Sequence, residues 1–372
     1  MKSLRDYREV LYGCRFCSMC KPAGEVANLT QYESHTTRAR AITLWRLAEG
    51  IAEWRPRDVE LLYQSTLDSI SQAWCVVDYP VSEYILAARA EAFAAGLAPA
   101  AAQQAARRTV PVPPTESAPV LLLGGEAAEL GNSEHAREAI RALERAGTQA
   151  KAVVASSGAL AYSLGDLAGA RVQAHAVVEM IQQAGARSVV ADGPQTLWAL
   201  ARVYPDLGVP LPKGVGVTSL SESLANKLGS GAPMRSSYAD RRVFFHDSRA
   251  ACLLAERPPT AEAIQPGYRG PEVTLGKGRV FDAPRQLLDG LGIHRLYFVW
   301  SRALCKSCGA DDGLWLTYPA LAEGLARRRL QEARRLGAEL VVTDSPLCAA
   351  HLARFAEAEG IEVCWLPAVL EG

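Results

Sequence analysis

Cys14-Arg-Phe-Cys17-Ser-Met-Cys20, followed by Lys21-Pro22, sets three thiols at the spacing of a ferredoxin cluster motif. Thiolates are soft ligands that suit iron–sulfur clusters or zinc. A C-x2-C pair can also close as a redox disulfide, but a triplet leaves one thiol over. Tight triplets favour a cubane, whereas structural zinc sites usually set two C-x2-C pairs further apart. The position that would complete the run is Gly24. In two-cluster proteins the fourth cysteine of each motif binds the cluster of the other. Cys75 closes Ser65-Thr-Leu-Asp68-Ser-Ile-Ser71-Gln-Ala-Trp-Cys75, a stretch with the same spacing whose first three cysteines are replaced. Under crossed ligation Cys14, Cys17, Cys20 and Cys75 make one [4Fe–4S] site, and Gly24, Ser65, Asp68 and Ser71 are the remains of another. Phe16, Met19 and Trp74 are placed to form its apolar shell. Arg15 and Lys21 are placed to favour its reduced, more negative state.

The remaining cysteines are Cys252, Cys305, Cys308, Cys348 and Cys364. The first four admit three readings. They make a second metal site, zinc or iron–sulfur, with His246 or His351 replacing one ligand; or Cys305 and Cys308 form a redox C-x2-C; or all four are buried thiols that pack as small hydrophobes. Cys364, in the run Ile361-Glu-Val-Cys-Trp365, reads as core. The six histidines show no triad or metalloprotease spacing, and His246-Asp247 at a strand end reads as a loop-orienting pair. Gly124-Gly125 lacks the rest of a dinucleotide fingerprint. Arg327 to Arg329 with Arg334-Arg335 reads as a solvated helix face.

A chain of 372 residues can bury two or three cores. Lysine plus arginine and aspartate plus glutamate balance at 40 each, so no basic field points to nucleic acid. No apolar run is long enough to span a membrane, and the N-terminus lacks the apolar region of a signal peptide. A reducing cytoplasm is the expected location, with contact to a membrane only through a partner, and there cysteines serve as ligands or free thiols.

Residues 1–98 read as helical, with apolar residues at helical spacing over Arg38 to Glu53 and Val81 to Ala95. Residues 99–119 are rich in Pro and Ala and read as a linker. Beyond them short apolar runs alternate with helices: Val120–Leu123, Ala152–Val154, Ser188–Ala191, Val243–Phe245, Leu296–Trp300, Leu340–Val342 and Ile361–Val363, with a capped helix from Ser133 to Gly147. That rhythm indicates βαβ units and mainly parallel sheets. Gly185-Ala-Arg-Ser-Val-Val-Ala-Asp-Gly-Pro194 matches Gly337-Ala-Glu-Leu-Val-Val-Thr-Asp-Ser-Pro346, so 120–232 and 240–372 read as tandem related units.

The ordered set of the cysteine triplet, Glu33 to Arg40, Cys75, Tyr162-Ser-Leu-Gly-Asp166, His246-Asp247, Phe281-Asp-Ala-Pro-Arg285 and Cys308-Gly309 resembles the cysteine-rich CCG family of iron–sulfur electron carriers. Members of that family serve heterodisulfide reductase, glycolate oxidase and the anaerobic glycerol-3-phosphate dehydrogenase. The resemblance implies an α+β multidomain chain. A helical ferredoxin-like domain would precede two CCG-type α/β units. It also implies one [4Fe–4S] cluster and a redox partner, a flavoprotein dehydrogenase or another iron–sulfur protein, in a hetero-oligomer. Such a chain would be an electron-transfer subunit and not a complete enzyme. Cys308 and Cys348 occupy family ligand positions. Other thiols of the pattern are lost: Ser156-Ser157-Gly158, Gly193-Pro194-Gln-Thr196, Arg249, Ser307 and Ser345 stand in their places. Heterodisulfide reduction is therefore not expected. The rival reading is a scaffold whose metal is structural.

Overall fold

The computed structural model describes residues 2–14, 17–75, 79–131, 134–228, 236–255 and 278–370. Arg15, Phe16 and Ser133 lie outside them. The N-terminal part is helical: α1 (Arg8–Cys14), α2 (Glu25–Thr30), α3 (Thr37–Ala48), α4 (Pro56–Tyr63), α5 (Ser69–Trp74) and α6 (Val81–Ala94). Local chemistry starts these helices. The Thr36 side chain accepts from Ala39 N at the head of α3, and Pro56 pre-sets the first turn of α4. The segment expected as a linker carries α7 (Ala100–Ala106), which buries Ala102, Ala105 and Ala106. Its Pro-rich part follows the helix and does not prevent it.

The first sheet has the order β2-β1-β3-β4, all parallel, from β1 (Val120–Leu123), β2 (Lys151–Val153), β3 (Ser188–Ala191) and β4 (Gly216–Ser219). The second is β5-β6-β7, also parallel, from β5 (Val243–His246), β6 (Leu340–Thr343) and β7 (Glu362–Trp365). Runs such as Leu340-Val-Val-Thr343 are buried along their whole length, as sheets covered on both faces require. The repeated segments place β3 and β6 at interior positions of their sheets. A helix opened by proline follows β3, namely α8 (Pro194–Trp198). Just after β5 comes α9 (Arg249–Leu254), where the Ser248 side chain accepts from Ala251 N. A second proline-opened helix, α10 (Pro346–Glu359), follows β6. β4 was not evident in the sequence. Conversely, Leu296–Trp300 is not a strand: one bridge joins Arg295 to Val243, after which Tyr297 is 74% exposed and the chain turns toward the N-terminal helices.

The helical part and the first sheet share one continuous apolar core, from Leu11, Leu44, Leu62 and Tyr84 to Leu121, Val177 and Val189. Arg89, wholly buried, fastens the two together by donating to the carbonyls of Leu62, Ser65 and Ser163. Tyr63 adds a bond to Leu164 O at 2.8 Å.

Candidate metal centres

Folding gathers the N-terminal thiols. α1 ends at buried Cys14, Cys17 is exposed, and Cys20 and Cys75 are half-buried, with Cys75 delivered by the end of α5. Burial raises the Cys14 thiol to about 11, and the nearby charges of Cys75 and Cys17 add to the effect. Burial likewise raises Cys20 to about 12, with Cys14, Asp68 and Cys75 contributing. Thiolates at Cys14 and Cys20, which burial disfavours, are stabilised by a compensating cation, which is what iron or zinc supplies. Among the described residues, only His246, Cys308 and Cys348 bring three ligand atoms within 4.8 Å of one another. The N-terminal sulfurs are thus more widely spaced than the corners of one tetrahedral ion with metal–sulfur bonds of about 2.3 Å.

A hydroxyl reaches one of these sulfurs: Tyr84 OH lies 3.8 Å from Cys14 Sγ. Met19, expected in an apolar shell, is instead 51% exposed. Lys21 pairs with Glu33 at 2.6 Å, so a carboxylate already neutralises the charge expected to act on the cluster. Two of the positions read as remains of another cluster, Asp68 and Ser71, join a polar network. Thr37 Oγ1 bonds Asp68 Oδ2 at 3.0 Å and Ser71 Oγ at 2.8 Å, and Arg40 Nη1 donates to Asp68 Oδ2 at 2.7 Å. Ser65 is fully buried.

The C-terminal cysteines do not form one four-thiolate group. Cys308 and Cys348 meet His246, while Cys305 faces Cys252, with the sulfurs 3.1 Å apart. The sequence neighbours Cys305 and Cys308 therefore have different partners. Burial opposes a thiolate at Cys308, but hydrogen bonds from Cys348 and His246 outweigh it and hold Cys308 well below the ordinary thiol range. Arg329 Nε donates to His246 Nδ1 at 3.2 Å, so the neutral ring carries its proton on Nε2, the nitrogen left to donate toward the thiolate. His351 bonds instead to Ala322 O. Arg329 was expected on a solvated face, yet it is 2% exposed. Its contacts with Trp300 O and with the faces of Phe244 and Phe298 explain the burial. Asp247 does orient a loop: it accepts both terminal nitrogens of Arg285 at 2.7 Å and Arg302 N at 2.7 Å.

Each place where the pattern lacks a thiol has a structural use. Ser345 caps α10 by accepting from Cys348 N, and Ser307 N donates to Glu25 Oε1 at 2.7 Å. Thr196 donates to Asp192 at 2.6 Å, and Ser156 accepts from Val110 N at 2.7 Å. Arg249, 1% exposed, pairs with Asp312. Glu126, which no sequence pattern flagged, joins the units: it accepts from Gln195 N at the head of α8 and from Ser345 Oγ and Leu347 N at the head of α10.

The same interior carries Asp344, raised from 3.8 to about 8 by burial and the Asp247 charge. A carboxyl raised in the folded state stabilises it fully below the ordinary value and loses that contribution as pH climbs through the raised one. Stability should therefore decline between pH 5 and pH 8. Asp344→Asn should flatten that slope, measured as the Tm difference between the two pH values.

No family model matches the chain. Over 162 residues it is 28% identical to a subunit of the fumarate reductase (CoM/CoB) of Methanothermobacter marburgensis, a match covering 44% of this chain and 27% of that protein. The chain thus spans little more than a quarter of that relative's length. It also resembles a hypothetical protein from Helicobacter pylori of known structure, with a TM-score of 0.59, 11% identity, and 99% of this chain and 75% of that one covered. At that identity the likeness concerns the fold, which is mixed α and β, mostly helical, with two small parallel sheets. Among the described residues no helix is long and apolar enough to cross a membrane. The cysteine groups fit an iron–sulfur or other metal-binding subunit.

Proposed function

We propose that this chain is an electron-transfer subunit holding one [4Fe–4S] cluster on Cys14, Cys17, Cys20 and Cys75 and serving a redox partner, either a flavoprotein dehydrogenase or a heterodisulfide-reductase-like complex. The observation that supports the reading is that Cys75, remote in sequence, lies at the end of α5 near enough for its charge to act on Cys14 and Cys20 of the triplet. A cubane, when bound, exchanges single electrons. Tyr84 would donate a hydrogen bond to the Cys14 sulfur and so favour the reduced state, while the apolar packing around Cys14 keeps water from one side. The similarity to a named reductase subunit supports the assignment to a multi-subunit reductase. In the C-terminal unit, His246, Cys308 and Cys348 gather an imidazole and two thiols, and zinc there would require the Arg329 bond to Nδ1 to be released so that Nε2 could give up its proton.

Metal and sulfide analysis after anaerobic purification, with EPR of the reduced protein, tests the reading. About four irons per chain and a reducible signal are expected. Zinc without iron would instead mark a scaffold with structural metal.

A further inference from the structure

We propose that Cys252 and Cys305 form a reversible disulfide, a second redox centre of this chain beside the helix that carries Cys75. Their sulfurs stand 3.1 Å apart, about an ångström beyond the bond of roughly 2.05 Å. Both thiols are aimed by backbone. Ser248 O accepts from Cys252 at 3.8 Å and from Cys305 at 3.6 Å, and Arg302 O accepts from Cys252 at 3.4 Å. Arg302 has φ +53°, a conformation that a side-chain-bearing residue keeps only where its surroundings impose it. Asp247 imposes it here by accepting Arg302 N at 2.7 Å. The loop that presents Cys305 is thereby held against α9, which presents Cys252.

The pair is 4% and 1% exposed, so an external thiolate has no line of attack on either sulfur. Electrons are less restricted. The apolar cluster around Cys252 and Cys305 takes in Ala73 of α5. The adjacent Trp74 meets Trp300, ring centroids 5.4 Å apart, just before the Arg302 turn. This step rests on the electron-carrier reading above. In reduction the S–S bond breaks, two electrons and two protons enter, and two S–H bonds form. The electrons come one at a time from the proposed iron–sulfur chemistry and the protons from water. In oxidation the two thiols lose two protons, and two electrons pass to an oxidised flavin of the partner. A dithiol of this kind matches a two-electron partner to a one-electron carrier.

The test uses the full-length, anaerobically purified protein, poised electrochemically with dye mediators, quenched in denaturant with maleimide and mapped by mass spectrometry. The expected result is a Cys252–Cys305 linkage at oxidising poise that disappears at reducing poise. Reductive titration should then take up about three electrons per chain, against about one in Cys252→Ser or Cys305→Ser with their iron retained. Alkylation of both cysteines at every poise, with iron at full content, overturns the proposal and leaves the carrier reading standing. A linkage that forms in protein lacking iron overturns the carrier reading and leaves the disulfide.

Discussion

Cys75→Ala is expected to lower iron from about four per chain to below about one and to abolish the EPR signal of the reduced protein. The argument is geometric. α1 and the following turn supply three thiols of a compact motif, but the fourth comes from the end of α5, whose start is pinned by the Thr37, Arg40, Asp68 and Ser71 network. Removing one corner leaves three thiolates to hold the cluster, with no sequence neighbour to replace the fourth, since the candidate position is Gly24. Metal binding and folding are linked, so the variant should also show a lower Tm for the helical part. Cys364→Ser is the matched control. Cys364 is buried in β7 and bonds Trp365 O, so its loss should leave iron unchanged. Full iron in Cys75→Ala would remove Cys75 from the ligand set.

What could be read from sequence is what local spacing encodes. The cysteine triplet, the apolar strand runs and the duplicated β3–α8 and β6–α10 segments depend on residues close in the chain. The partners of the C-terminal thiols could not be read, because they depend on which loops meet. Cys305 and Cys308 are close in sequence, yet the Arg302 turn sends one toward α9 and the other toward His246. Arg329 looked like part of a charged surface, since an arginine run gives no sign that one member will lie across two phenylalanine rings. Glu126 was silent because its partners, two backbone N–H groups and the Ser345 hydroxyl, sit at two helix starts far from it in sequence. Met19 and Lys21 adjoin the ligands in sequence only: Met19 is exposed and Lys21 is claimed by Glu33.

Arg40→Met should cost about 3–5 kcal/mol, because it leaves a buried aspartate without its cation. Arg40 is 3% exposed and Asp68 4%, so little water reaches either. The guanidinium makes further bonds: besides Asp68 it donates to His35 O at 2.8 Å, Leu61 O at 3.0 Å and Gln64 O at 2.8 Å. Its loss strands three carbonyls together with the charge and frees α3 from the turn that starts α5. A fall in Tm of roughly 10 °C is expected for a cost of that size. Asp68 has φ +47°, which asparagine tolerates almost as well. Arg40→Met/Asp68→Asn should therefore recover part of the loss by removing the stranded charge without straining the backbone. A double-mutant cycle measures that coupling. Because α5 ends at Cys75, Arg40→Met should also release iron to a chelator faster than the parent protein. If the single variant were as stable as the parent and held its iron equally well, the polar network would be a passive filling of the space beside the cysteines. A large loss in both measurements would mean that it now positions the fourth ligand.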